Sequence, residues 1–382
     1  MKIAMIGQKT IGVKGERAGG IETHVEALST RLVKRGNEVF VYARKDYHRG
    51  VNGNGKKFPQ EYDGIKLVYI PTVYRKNLEA IVHTLLSTLH ALFQPYDIIH
   101  YHGVGPATLS IIPRLLKRKC RVVVTFHSQD RFHQKWGFLA RNYLHFGEWA
   151  AAWFPHACIS VSHVIQVYCR KYYHRQVVYI PNGAQVQSVS SASEIARFGL
   201  RPDGYFLNVG RIVRHKGLHY LIEAYQQLDA PKGAKKKLVI VGSAAHTDDY
   251  LAEIKKRAAG DPNVLFLGFQ SGEALRQLFA HAYTYVQPSE SEGLAVVVLE
   301  AMSFGTPVLV SDIPENLEAM HHAGFSFHNK NVTDLHKQLQ FTLDHSNDVA
   351  KAGKRSSQVI NEFFNWDKIT EHVEEVYRSV RH

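Results

Sequence analysis

Short runs rich in β-branched residues alternate with helix-patterned segments from the first residue onward, and this rhythm breaks once and then restarts. KIAMIG (Lys2 to Gly7) reads as a buried strand. Glu22 to Arg35 reads as a helix with Leu28 and Leu32 on one face and Gly36 as its stop, and EVFVYA (Glu38 to Ala43) as the next strand. Further strands are expected at 65–70, 96–101, 121–126, 156–162 and 176–180. Pro181-Asn182-Gly183 then breaks the pattern, and a polar, serine-rich stretch from Gln185 to Glu194 follows. Strands resume at 205–210, 237–242, 263–268, 283–287 and 307–311. Strand and helix alternating in this way build βαβ units with parallel sheets, so the fold class is α/β. The chain has 382 residues, enough for two domains with their own cores. The break and restart put the boundary near residue 183.

Each half opens with a strand that ends in glycine and a loop that leads into a helix. Ligands of open α/β sheets bind at such carboxyl ends of strands, and two halves facing one another would make a cleft. The first loop, GQKTIGVKGERAGGIETH (Gly7 to His24), lacks the G-x-G-x-x-G spacing, and Arg44 and Lys45 stand where a dinucleotide fold places an acid. A nicotinamide-dinucleotide site is therefore not expected. Gly19 and Gly20 do precede a helix N-terminus, where bare N–H groups and the helix dipole favour an anion; serving a tight turn is the alternative. In the second half, GRIVRHKG (Gly210 to Gly217) sets Arg211 and Lys216 in the loop after the first strand. A planar guanidinium fork and a compact ammonium suit a diphosphate, and a solvated surface is the other reading.

The stretch PSESEGLAVVVLEAMSFGTPVLVSD (Pro288 to Asp312) carries Glu292 and Glu300 around an otherwise apolar run. Leu294 to Phe304 is expected as a helix of about three turns, stopped by Gly305 and Pro307. The N–H groups of Gly293, Leu294, Ala295 and Val296 would then lack helical partners and suit phosphate oxygens. Glu292 and Glu300 would lie about 12 Å apart along the axis if the segment were helical throughout. Two carboxylates so spaced could hold the two ends of an elongated ligand, since they accept hydrogen bonds from the vicinal hydroxyls of sugars and riboses. A buried carboxylate needs such a polar partner, or else a neighbouring arginine.

Glu292 and Glu300 in an E-x(7)-E arrangement, followed by EAMSFGTPVLVSD and preceded by Arg211 and Lys216, resemble the retaining nucleotide-sugar glycosyltransferases of family four. The resemblance spans essentially the whole chain: GGIETHVEALSTRL, TFHSQDRFHQKWG, the IPNG hinge and the terminal NWDKITEHVEEVYRSV all match in order. It implies the GT-B fold, two Rossmann-like domains facing a cleft. Residues 1–182 would form the acceptor-binding domain and 183–365 the nucleotide-sugar-binding domain, with a C-terminal helix, 366–382, returning to the first. It further implies that Glu292 holds hydroxyls of the donor sugar and Glu300 the ribose. Arg211 and Lys216 would neutralise the leaving diphosphate. Gly19 and Gly20, counted with the donor-binding residues, would let the N-terminal loop close on phosphate or acceptor. His127 would stand at the donor sugar and reacting centre, with Asp130 on the acceptor side; a satisfied histidine in a core turn is the alternative for His127. The departing phosphate would help take the acceptor's proton, so neither glutamate is assigned as a nucleophile. Ala295 stands where many relatives have proline, which bears on the shape of the phosphate loop.

The resemblance implies metal-independent chemistry with no cofactor beyond the nucleotide-sugar donor. His100, His102, His127 and His133 do not follow the spacing of a known metal site, and none is expected. Residues 1–180 hold 26 Lys and Arg against 11 Asp and Glu, whereas residues 181–382 hold 21 against 23. A half so basic suits anionic lipid or a phosphorylated substrate. Thr72 to Phe93 and Ile111 to Arg121 combine cations with apolar residues at helical spacing, as a peripheral contact with the inner face of a membrane would require; ordinary core helices with solvated ends are the alternative. No stretch is apolar enough to span a bilayer, and the first apolar run is too short for a secretory segment. With three cysteines, Cys120, Cys158 and Cys169, the expectation is a cytoplasmic protein. The partners expected are a nucleotide sugar and a sugar or lipid-linked saccharide acceptor, and no nucleic acid. The function expected is retaining transfer of a hexosyl or deoxyhexosyl group in polysaccharide or glycolipid assembly. A nucleotide-sugar epimerase of the same fold and a non-enzymatic bilobal sugar-binding protein are the competing classes.

Overall fold

The computed structural model describes residues 1–12, 19–44, 59–73, 78–129, 131, 137–229, 235–244 and 247–381. Contacts divide it into two units, Met1–Asn182 with Trp366–His382, and Gly183–Asn365.

The first unit holds an eight-stranded sheet in the order β3-β4-β2-β1-β5-β6-β7-β8. Its strands are β1 (Lys2–Ile6), β2 (Glu38–Arg44), β3 (Glu61–Tyr62), β4 (Ile65–Ile70), β5 (Ile98–His102), β6 (Arg121–Phe126), β7 (Ala157–Ser160) and β8 (Val178–Tyr179). Every pairing is parallel except β3 with β4. The central strands are buried on both faces, which is why KIAMI and RVVVTF read as continuous apolar runs rather than alternating ones. The helix Gly20–Lys34 buries Val25, Leu28 and Leu32, the spacing of one helical face, against β1 and β2.

The C-terminal helix Trp366–Ser379 completes that same core with Ile369, Val373, Val376 and Tyr377. Each such side chain contributes about 1.5–3 kcal/mol by leaving water. Polar contacts fix its register. Glu374, 3% exposed, accepts from Arg35 Nε and Asn37 Nδ2, both at 2.6 Å, and the Tyr377 hydroxyl meets His100 Nδ1 at 2.6 Å. A slip of one residue would leave Glu374 buried without these donors, a cost of several kcal/mol.

The second unit is a six-stranded, wholly parallel sheet in the order β11-β10-β9-β12-β13-β14. Its strands are β9 (Tyr205–Val209), β10 (Lys237–Val241), β11 (Val264–Gly268), β12 (Thr284–Gln287), β13 (Val308–Ser311) and β14 (Phe325–Phe327). The order reverses between β9 and β12, the topological switch point where α/β sheets bind ligands. Gly242, just past β10, has φ +142°, and a Cβ there would overlap the Gly210 carbonyl at the end of β9, so only glycine lets these two strand ends close up. Among the described residues no helix is long and apolar enough to cross a membrane.

Candidate functional site

At the switch point of the second unit, the loop after β9 and the segment after β12 converge. Arg214–Lys216 forms one turn of 3-10 helix, and Gly217, at φ +69°, redirects the chain into the helix Leu218–Gln226. A Cβ on Gly217 would overlap the Pro288 carbonyl oxygen, so the close approach of the two loops depends on this glycine. The approach brings Lys216 Nζ to 2.5 Å from Glu292 Oε1, with the two side chains 16% and 12% exposed. Gln287 Nε2 donates to the same oxygen at 2.7 Å. Burial alone would raise the Glu292 carboxyl, but the Lys216 charge and hydrogen bond outweigh it and hold it below the usual carboxylate range.

The helix expected from Leu294 begins only at Val296 and runs to Ser303; Gly293 and Leu294 form a bend and Ala295 is the first flanking residue. The cause is visible in the contacts of Glu292: a loop conformation is what carries its carboxylate to Lys216 and Gln287. The spacing of about 12 Å worked from a continuous helix therefore does not apply. With the helix starting at Val296, only the Val296 N–H, of the four expected to be bare, lies in its first turn.

Glu300 lies in the second turn of that helix, partly buried. Among the described residues its carboxylate has no hydrogen-bond or ion-pair partner, and burial pushes it up to about 7. The arginine that would satisfy it within the protein is thus not found there. Tyr285 lies within electrostatic reach of both glutamates, and its phenol is raised by burial and then by the charges of Glu292 and Glu300. The Tyr285 hydroxyl donates to Gln287 Oε1 at 2.5 Å, completing a chain from Lys216 through Glu292 and Gln287 to Tyr285. Arg211 is exposed, and among the described residues its guanidinium has no ion-pair partner. Tyr285 and Gln287 were missed in the sequence reading; their signal is the i, i+2 spacing that puts both on one face of β12.

In the first unit, Gly19 caps the helix Gly20–Lys34, but the anion nearest that end is the protein's own: Glu22 accepts from Gly19 N–H and Lys9 N–H, both at 2.9 Å. Gly19 is extended (φ −123°), a conformation open to any residue. His127 follows β6 and is 8% exposed. Its Nε2 lies 3.2 Å from His102 Nδ1, and its ring stands edge-on to His24 at 4.7 Å between centroids. His24 Nδ1 meets Asn182 Oδ1 at 2.8 Å, while His24 Nε2 is buried with no hydrogen-bond partner among the described residues. Burial lowers all these imidazoles: His24 to about 4, the Asn182 hydrogen bond opposing, and His102 and His127 well below their ordinary value. All are neutral near pH 7. His100, bonded to Tyr377 and Thr125, is lowered to about 3. The sequence spacing had joined His100, His102, His127 and His133; the fold instead groups His24 with His102 and His127, and His133 lies outside the described residues. Asp130, the acceptor-side candidate, also lies outside them.

Comparison with known proteins agrees with this architecture. The family described as Glycosyltransferase Family 4 matches residues 18–188, and Glycosyl transferases group 1 matches residues 194–359. The chain is similar to an uncharacterised glycosyltransferase of Methanocaldococcus jannaschii, 27% identical over 99% of this chain and 98% of that one. It is also 27% identical to the O-antigen chain mannosyltransferase C of Escherichia coli, over 77% and 76% of the two chains. Among solved structures, Anabaena HepE in complex with UDP and glucose superposes with a TM-score of 0.79 over 99% and 100% of the chains at 19% identity. A sucrose-phosphate synthase from Thermosynechococcus elongatus superposes with a TM-score of 0.81 at 21% identity, over 99% and 98%. The fold is GT-B, with two parallel-sheet α/β domains.

Proposed function

We propose that this chain, a family 4-like GT-B glycosyltransferase, transfers a hexosyl or deoxyhexosyl group from a nucleoside-diphosphate sugar to a hydroxyl acceptor with retention of anomeric configuration. The observation that carries the reading is Glu300: a half-buried carboxylate at the switch point, without a protein partner among the described residues and held near pH 7 by burial. Such a group gains most from a ligand bearing paired hydroxyl donors, which a ribose provides. Glu292 orients Lys216 through their close ion pair, so that an ammonium stands ready for the diphosphate. Arg211 supplies the second cation, and Val296 N–H at the helix start a neutral donor. Both act on charge that grows as the diphosphate leaves. His127 keeps the part that the resemblance gives it, at the reacting centre, and Asp130 the part on the acceptor side.

The O-antigen mannosyltransferase relative favours a polysaccharide or glycolipid acceptor, and the UDP-bound neighbour a nucleoside-diphosphate donor. The chemistry assigned to these residues requires no metal. An acceptor carried by lipid would also explain the apolar residues exposed beside cations in the first unit: Phe93 (86%), Leu115 (63%) and Leu116 (73%), next to Lys117, Arg118 and Lys119. The test is incubation with a panel of nucleotide sugars, with and without acceptor, followed by measurement of nucleoside diphosphate and of the sugar. Diphosphate released in step with a new glycoside is the expected result. An epimerised sugar without release would assign the epimerase class instead, and binding without chemistry a sugar-binding protein.

A further inference from the structure

We propose that His24, His102 and His127 form a three-imidazole binding site for a divalent first-row transition metal ion of the zinc type, and that occupancy of this site withdraws His127 from sugar transfer. The second clause rests on the function proposed above; the first does not.

One nitrogen from each of the three rings lies within 4.8 Å of the others, and all three residues are buried. His102 Nδ1 and His127 Nε2 are 3.2 Å apart, close to the edge of about 3.3 Å that a tetrahedral ion with ligands at about 2.0–2.1 Å would span. His24 closes the set with a rotation of its side chain, drawing its nitrogen in by roughly 1.5 Å to reach the same edge. Three imidazoles around one point, with a fourth position left open, is the donor set that zinc takes where it is exchangeable or reactive.

The outer partners already set the ring tautomers. His24 Nδ1 donates to Asn182 Oδ1, which leaves Nε2 as the lone pair, and Nε2 is the buried atom without a partner. His102 Nε2 faces Met5 Sδ at 3.4 Å, a weak acceptor, which leaves Nδ1 as its lone pair. In the metal-free protein, His127 donates its Nε2 proton to that lone pair. A bound ion replaces this hydrogen bond, and the His127 proton moves to Nδ1. Without an ion, the buried lone pair of His24 has no polar partner among the described residues, a deficit that coordination removes.

The experiment titrates the metal-free full-length chain with Co2+ and then Zn2+, in the absence of nucleotide sugar, reading the visible d–d absorption. The expected result is one equivalent with the intensity of a four-coordinate nitrogen site, displaced by Zn2+. That equivalent disappears in His24→Gln and weakens by about 10- to 100-fold in Asn182→Ala, which removes only the outer partner. Circular dichroism confirms that the variants fold, and the histidines elsewhere on the surface remain as an internal control. No saturable tetrahedral band in the wild-type protein, or a band unchanged in both variants, overturns the site. Donor turnover measured separately in chelator and in Zn2+ tests the second clause. Full activity at saturating Zn2+ would refute the withdrawal of His127, and absence of activity in chelator would refute the proposed function while leaving the metal site standing.

Discussion

Replacing Glu300 with glutamine should stabilise the free protein and weaken its hold on nucleotide. In the fold the carboxyl keeps its proton up to about pH 7, whereas the unfolded chain releases it near its ordinary value of 4.5. A group raised in this way favours the folded state less as pH climbs through that window, and the loss is complete above about pH 7. A rise from 4.5 to about 7 corresponds to about 3 kcal/mol. Because Glu300 is only partly buried, solvent reduces that to about 1–3 kcal/mol. For a unit of this size each kcal/mol moves Tm by about 2–4 °C, so Glu300→Gln should melt roughly 2–12 °C higher than wild type at about pH 8. The two should converge as pH falls below about 4.5, where both side chains become neutral in either state. Nucleotide binding should respond the other way: the variant loses charge-assisted hydrogen bonds worth about 1.5–3 kcal/mol, a weakening of about 10- to 150-fold at about pH 8. Thermal melts across that range, with and without a nucleoside diphosphate, read both effects. Parallel melting curves at every pH, or equal nucleotide affinity, would refute the assignment of Glu300 as an unpaired, ligand-seeking carboxylate.

Lys216→Met leaves Glu292 buried without its cation and should cost about 3–5 kcal/mol by denaturant unfolding. Glu292→Gln in the same background should recover part of that loss, and additive losses would argue against a coupled pair. Gly217→Ala meets both a left-handed backbone and the Pro288 carbonyl, so it should destabilise by more than about 2 kcal/mol and lower donor affinity with it; a wild-type melt would mean the two loops do not need their close approach. The protein should sediment with anionic liposomes, less so as salt rises, and Leu115→Ser with Leu116→Ser should reduce the bound fraction several-fold. Binding indifferent to lipid charge would remove the lipid-facing role.

Most of the sheet was legible because buried parallel strands need unbroken β-branched runs. Ile65–Ile70 and Arg121–Phe126 stand where their composition put them. β3 and β14 escaped because two and three residues, EY and FSF, carry no period; their places are set by the neighbouring strands β4 and β13. The helix that carries Glu300 starts two residues late because a tertiary contact overrides local propensity: Glu292 is drawn to Lys216 and Gln287. In the candidate site, the acids and cations could be named from their loops, since charge in an apolar segment is conspicuous. Tyr285 and Gln287 could not, because inside a strand they look like core, and only the fold shows them facing the glutamates. The grouping of His24 with His102 and His127 was equally hidden, since it joins a helix to the ends of two strands far apart in sequence.

The most direct measurement is a crystal structure with a nucleoside-diphosphate sugar bound. Ribose hydroxyls are expected within hydrogen-bonding distance of the Glu300 carboxylate, the diphosphate against Lys216 and Arg211, and the sugar towards Glu292. A nucleotide held elsewhere, or one whose ribose turns to solvent while Glu300 stays unpaired, would contradict this placement.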